Sequence, residues 1–360
     1  MMNAIDDTFL QLVRLGIGTA NKVIIPDTIN WKDIDEFADK QGLLAIIVDG
    51  IEKLSESVRP PKEVLLQWIG NVLQCYEYRY ETYRRSISEL ASFYNQHGYR
   101  MMVLKGYACA IDWPKPEHRP CGDVDIWQFG KQKEADAALS QEKGIKVDTS
   151  HHHHTVFNWG DIMVENHYDF INVYDYKSSK EIEKILKRLG QDDSFYTEVN
   201  GERVYLPSPN LHALFLVRHA ASHFASTYIT FRQVLDWAFF VQKHTDEIDW
   251  NWLMEILGKY HMMDFFNCVN AICVEELGFS SGIFPCVQFS PVLKDRVLHD
   301  ILRPEFTIEE PNSFIPRLLY KYKRWYGNGW KQELCYEDSR ISGFLSNLWA
   351  HLLKPSSFFS

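Results

Sequence analysis

The spacing of apolar and polar positions changes period twice along the chain. Up to about residue 98 it is helical. "DTINWKDIDEFADKQGLLAIIVDGIEKL" places apolar residues every three or four positions, and after Pro60 and Pro61 a stripe from Leu65 to Tyr94 continues the pattern. Gly98, after His97, is the predicted C-cap. The period then shortens. "YRMMVLKG" reads as a strand, "YACAIDW" as a short helix stopped by Pro114 and Pro116, "DVDIWQF" as a second strand and "KQKEADAALSQEKG" as a polar helix ending at Gly144. Alternation in "IKVDT", "HHHHTVFNW" and "DIMVENHYDF" predicts further strands, and "GERVYLPSPN" a closing hairpin arm and linker. After Pro207 and Pro209 helical spacing returns in "NLHALFLVRHAASHFAS", with Asn210 the candidate N-cap, then in "FRQVLDWAFFVQKH" and the segments after it. The amphipathic "ISGFLSNLWAHLLK" lies near the end. The expected architecture is α+β: a small mixed-sheet module at 99–206 with helices on one side of its sheet, an N-terminal helical region at 1–98 and a C-terminal helical domain at 207–360.

Composition narrows the class. Hydrophobic residues make up 46% of the chain and aromatics 14%, enough for substantial cores. No apolar run reaches the length of a membrane span, and the first residues lack the basic-then-apolar pattern of a signal peptide. With seven scattered cysteines, the expectation is a cytoplasmic protein with reduced thiols. A net charge of −10 argues against an extensive nucleic-acid surface.

The candidate chemistry centres on "RPCGDVDIW" at 119–127. Strand alternation puts Asp123 and Asp125 on one face and Val124 and Ile126 on the other, so the strand is anchored in a core while two carboxylates face one point. Such a pair suits Mg²⁺ (or Mn²⁺), which takes carboxylate oxygens and leaves positions for water and phosphate. Lys105 and Arg119 bracket the pair with positive charge, and Gly106 marks a strand-to-helix turn upstream. In "MVENHYDF", alternation places Glu165, His167 and Asp169 on one face, and Glu165 offers a third carboxylate.

The order "VLKG…RPCGDVDIW…VENHYDF" resembles a group of largely uncharacterised bacterial nucleotidyltransferases of the DNA polymerase beta-like superfamily. The helical segments "SPNLHALFLVRHAASHF", "FRQVLDWAFFV" and "IDWNWLMEIL", and the N-terminal helices, fit the same layout. The glycine is followed here by Tyr107 and the third acid is Glu165. The resemblance implies attack of an acceptor hydroxyl on the α-phosphate of a nucleoside triphosphate. Asp123, Asp125 and Glu165 would be metal ligands and catalytic residues, and Lys105, Gly106, Tyr107, Arg119, Gly122 and His167 would surround the phosphates. The acceptor stays open among a sugar, a small molecule, a protein hydroxyl and an RNA end. Two rivals remain: a metal-dependent glycosyltransferase using the D-x-D pair, and an inactive nucleotide-binding module. Only about 25 residues of α/β pattern precede Asp123, too few for a glycosyltransferase nucleotide domain.

Other features are weighed on the same terms. In His151–His154, alternation gives two imidazoles per face, fewer than a zinc site needs, so a polar rim beside the active site is expected. His212, His219 and His223 share a helical face; Arg218 and His219 are expected to donate to phosphate or base edges across the cleft. Arg232 and Asp236, four apart, are expected to pair, and Tyr76, Tyr80 and Tyr83 to pack in a core.

Overall fold

The computed structural model describes residues 3–341 except 175, 286–287 and 307–310. All but one residue of "ISGFLSNLWAHLLK" therefore lies outside the described residues. The chain is α+β, with many helices around a single mixed sheet. Its strands are β1 (Met102–Val103), β2 (Val124–Trp127), β3 (His154–Trp159), β4 (Ile162–His167), β5 (Tyr196–Val199) and β6 (Glu202–Tyr205). Their order across the sheet is β3-β4-β2-β1-β6-β5. β2 and β4 run parallel with Asp125 opposite Glu165 in register, whereas β3 and β4 form an antiparallel hairpin with His154 opposite His167.

Helices cover both faces of the sheet, not one. On the first face, Val103, Val124, Ile126 and Val164 pack against helices Tyr78–Gln96 and Gln132–Lys143. On the second, Met102, Trp127 and Phe170 join the core that includes helices Lys177–Leu189 and Pro209–Ser226. Period-two alternation shows which residues change face, but it does not show how many layers cover them. The helix at 177–189 is the element missed; "KSSKEIEKILKRL" has its apolar residues at Ile182, Ile185, Leu186 and Leu189, and that stripe was there to be read. "IKVDT" contributes only the isolated bridge Asp148↔Val156, and the ladder starts at His154 instead of at the head of the histidine run.

The long N-terminal stripe is helical as expected, but it carries a π-helical turn at Val72–Glu77 between helices Lys62–Asn71 and Tyr78–Gln96. Gly98 takes φ 71° behind that last helix, and the Tyr99 amide closes back onto the Tyr94 carbonyl at 2.9 Å. Tyr76, Tyr80 and Tyr83 are buried. Asn210 is not a cap: Ser208 is the N-cap, Pro209 starts the helix, and the Asn210 side chain accepts the Asp249 amide at 2.8 Å.

The helical flanks share a core that spans Phe9 to Tyr336. Gln41 fastens them, donating to the Ile301 carbonyl at 3.0 Å and accepting from the Phe231 amide at 2.8 Å. Among the described residues no helix is long and apolar enough to cross a membrane.

Candidate active site

Asp125 sits on the second face of β2 and is 3% exposed. A carboxylate buried this deeply must be compensated. Lys105 Nζ lies 2.6 Å from its Oδ1 and His167 Nε2 3.0 Å from the same oxygen. No described residue forms a hydrogen bond with Oδ2. Burial pushes the Asp125 pKa up, but the Lys105 and His167 charges outweigh it and hold the carboxyl well below the usual range. Burial lowers the His167 pKa; the hydrogen bonds to Asp125 and Glu165 reverse this and carry it to about 9, so the imidazolium persists at neutral pH. Glu165 lies one strand over, its Oε2 3.5 Å from His167 Nε2. Burial works against its ionisation, and the His167 hydrogen bond overcomes that and lowers its pKa. Donor atoms of Asp125, Glu165 and His167 lie within 4.8 Å of one another. Asp123, just before β2, is half-buried; burial first, then the Asp125 charge, raise its pKa. Asp123 lies outside the Asp125–Glu165–His167 cluster but lines the space beside each of the two carboxylates, and a carboxyl repelled toward protonation by its neighbours is an environment that a divalent cation relieves.

Gly106 is required for a reason other than phosphate. A Cβ there would fall 2.2 Å from the Tyr83 hydroxyl, which donates to the Asp123 carbonyl at 2.9 Å. The glycine thus lets the long N-terminal helix brace the strand that carries the carboxylates. The helix after it, Lys105–Ala110, has six residues and leaves helical geometry at Gly106, so the Lys105 ammonium is the group this turn presents to the carboxylates.

Two cavities meet here. One, of about 250 Å³, has an apolar floor including Leu216, Trp237, Phe265 and Phe266. The other, of about 940 Å³, is walled by His153, Glu165, His167, Tyr176, Trp325 and Tyr336 among others. Lys105, Asp123, His219 and His223 line both. His219 Nε2 and His223 Nε2 are 3.2 Å apart. His219 is half-buried and His223 exposed to the cleft; desolvation by the surrounding protein, then the Lys105 charge, lowers both imidazole pKa values.

Several expected contacts lie elsewhere. Arg119 lines the smaller cavity, but its guanidinium is committed to Asp236, with Nε–Oδ1 at 2.7 Å and Nη2–Oδ2 at 2.9 Å. Asp236 is therefore not the partner of Arg232. That arginine lines the smaller cavity without a hydrogen bond or ion pair to any described residue, and burial and the Arg119 charge lower its pKa. Arg218 is 1% exposed and turned from the cleft: it donates to Ser179 Oγ at 2.8 Å and the Cys335 carbonyl at 3.3 Å, and covers the Tyr336 ring. The helix turns about 100° per residue, and here it places His219 in the cavity lining and Arg218 against Ser179 and Tyr336. Tyr107 is a core residue stacked on Tyr80. Gly122 lines the smaller cavity, with open space where a Cβ would go. His167 contacts carboxylates and serves as their counter-charge. Asp169 lies past the end of β4 and pairs with Lys187. His212 shares the helical face of His219 but lies two turns earlier, against Cys109 and Phe240.

Residues 27–278 match the family described as uncharacterised nucleotidyltransferase, and the chain belongs to that family. Among solved structures it is similar to an antigenic nucleotidyltransferase-like protein from Paracoccidioides brasiliensis, at 13% identity over 56% of this chain and 95% of that one, with a TM-score of 0.36. No curated protein matches.

Proposed function

We propose that the protein transfers a nucleoside monophosphate from a nucleoside triphosphate to a hydroxyl acceptor, with Asp123, Asp125 and Glu165 as the ligands of Mg²⁺ or Mn²⁺. The observation that carries this reading is the in-register pair Asp125↔Glu165 on parallel strands, with Asp123 two residues before Asp125 in the lining of both cavities and Lys105 Nζ 2.6 Å from Asp125. The bound divalent ions would supply charge neutralisation and activation of the acceptor oxygen. The chain's own residues do the rest. Asp125 and Glu165 are kept ionised by His167 and Lys105, so both stand ready as ligands at neutral pH. Lys105 faces both cavities, where its ammonium balances phosphate charge. The acceptor oxygen bonds to the α-phosphorus, the bond to the β-phosphate oxygen breaks, pyrophosphate leaves with its electron pair, and the hydroxyl proton passes to a carboxylate of this set.

One observation favours a second reading. Asp125 is already neutralised by two cations of the chain, as it would be in a nucleotide-binding module that no longer catalyses. Incubation with each labelled triphosphate, Mg²⁺ or Mn²⁺ and a cell extract separates the two. Transfer of label to an acceptor, lost in Asp123→Asn and Asp125→Asn, is expected; binding of triphosphate without transfer under any condition supports the inactive module.

A further inference from the structure

Beside the carboxylates, three imidazoles meet at the junction of β3 and β4. His154 opens β3 directly opposite His167, which closes β4, and His153 precedes it. Ring nitrogens of His153, His154 and His167 lie within 4.8 Å of one another. His154 is 6% exposed, and neither of its ring nitrogens has a hydrogen-bond partner. Its closest carboxylate oxygen, Glu165 Oε1, is 3.7 Å from Nε2. A buried imidazole left unsatisfied costs about 1–3 kcal/mol, so its persistence in a polar cluster calls for a partner. His167 already has the orientation of a metal-bound histidine. Its Nδ1 faces the Asp169 carbonyl at 3.2 Å, which leaves Nε2 directed at the carboxylates. His153, His167 and Glu165 all line the larger cavity, which gives an ion a route in.

We propose that His153, His154 and His167 bind one transition-metal ion of the zinc class, with the fourth position left to water or a ligand from the larger cavity. Three imidazoles with an open fourth position suit Zn²⁺ or Co²⁺ and not Mg²⁺. Ligand nitrogens around a tetrahedral zinc stand about 3.3 Å apart, so the cluster closes by a movement of about an ångström or slightly more in the segment before β3. Alternation would put the consecutive His153 and His154 on opposite faces, but β3 begins only at His154, and the third imidazole comes from the neighbouring strand, where only the register supplies it. The ion takes the place of the proton on His167 and draws Nε2 from Asp125, leaving that carboxylate to Lys105. Zinc-class occupancy and the Asp125 environment are thereby linked. The site shares His167 with the carboxylate cluster, but it is argued from the imidazoles and does not require that nucleotidyl transfer occurs.

The test uses the full chain, purified without a nickel column, stripped with chelator and titrated with Co²⁺. The expected result is a visible d–d absorption that saturates at one equivalent, survives millimolar Mg²⁺ and disappears on adding Zn²⁺. His153→Ala and His154→Ala should each weaken Co²⁺ binding at least tenfold with an unchanged far-UV spectrum, whereas Asp123→Asn, outside the imidazole set, should bind as the wild type does. Absence of stoichiometric Co²⁺ binding overturns the site, as does binding unchanged in both histidine variants or lost in Asp123→Asn. Nucleotidyl transfer is assayed separately, so failure of one result leaves the other standing.

Discussion

Two buried cation–aspartate pairs flank the smaller cavity, and they are built differently. In Arg119–Asp236 both carboxylate oxygens are taken, and Trp113 Nε1 adds a bond to Oδ1 at 2.9 Å. Its planar fork matches its planar partner, and the pair is closed. In Lys105–Asp125 the two cations crowd one oxygen while the other accepts no hydrogen bond from described residues. It holds an excess of positive partners beside two further carboxylates, an arrangement that waits for a ligand. A saturated ion pair holds the wall together; an unbalanced one has capacity left for a ligand.

The largest expected effect breaks the closed pair. Asp236→Ala strands a buried guanidinium and a Trp113 N–H and should cost about 3–5 kcal/mol, read by urea or thermal unfolding. If the cost is small, the pair is not the structural member of the comparison. The open pair is sharpened by its two aspartates. Asp125→Asn should abolish transfer and also destabilise by about 1–3 kcal/mol, because Lys105 and His167 lose their common counter-charge. Asp123→Asn should abolish transfer without loss of stability, because it removes the repelled carboxylate. Equal destabilisation by both would contradict the asymmetry.

The pH dependence follows from His167. Its pKa is raised from 6.5 to about 9 on folding, so its contribution is complete below about 6.5 and is lost as pH rises through 9. Melting temperature should fall over that window in the wild type, and His167→Gln should flatten the fall. The smallest effect is ligation. Mg²⁺ at ten times its dissociation constant should stabilise the wild type by about 1.4 kcal/mol and leave Asp123→Asn unaffected.

The meeting of Asp125 and Glu165 was legible because both stand in strands that alternation picks out, and the parallel register sets them side by side; Asp123, before the first ladder residue, falls outside that cluster. The cations were not. Arg119, Arg218 and Arg232 are identical as letters, and which one is free depends on tertiary partners: Asp236 reaches across 117 positions to Arg119 in preference to the helical neighbour four residues away. The neighbour of His154 across the sheet, His167, is supplied by strand pairing and cannot be read along one strand. The fold was legible where periodicity ran long, as in the helix that ends at Gln96, and least legible at "IKVDT", where five alternating residues give one bridge.

The shared lining of the two cavities has a kinetic consequence. Lys105 and Asp123 line both chambers, of about 250 and 940 Å³, and under the proposed transfer each chamber would seat one substrate. Turnover should then follow a sequential scheme through a ternary complex, with no covalent nucleotidyl-enzyme released between half-reactions. A single compound that spans both chambers would make its second contact intramolecularly. Its affinity would approach the product of those of its halves, scaled by their effective concentration.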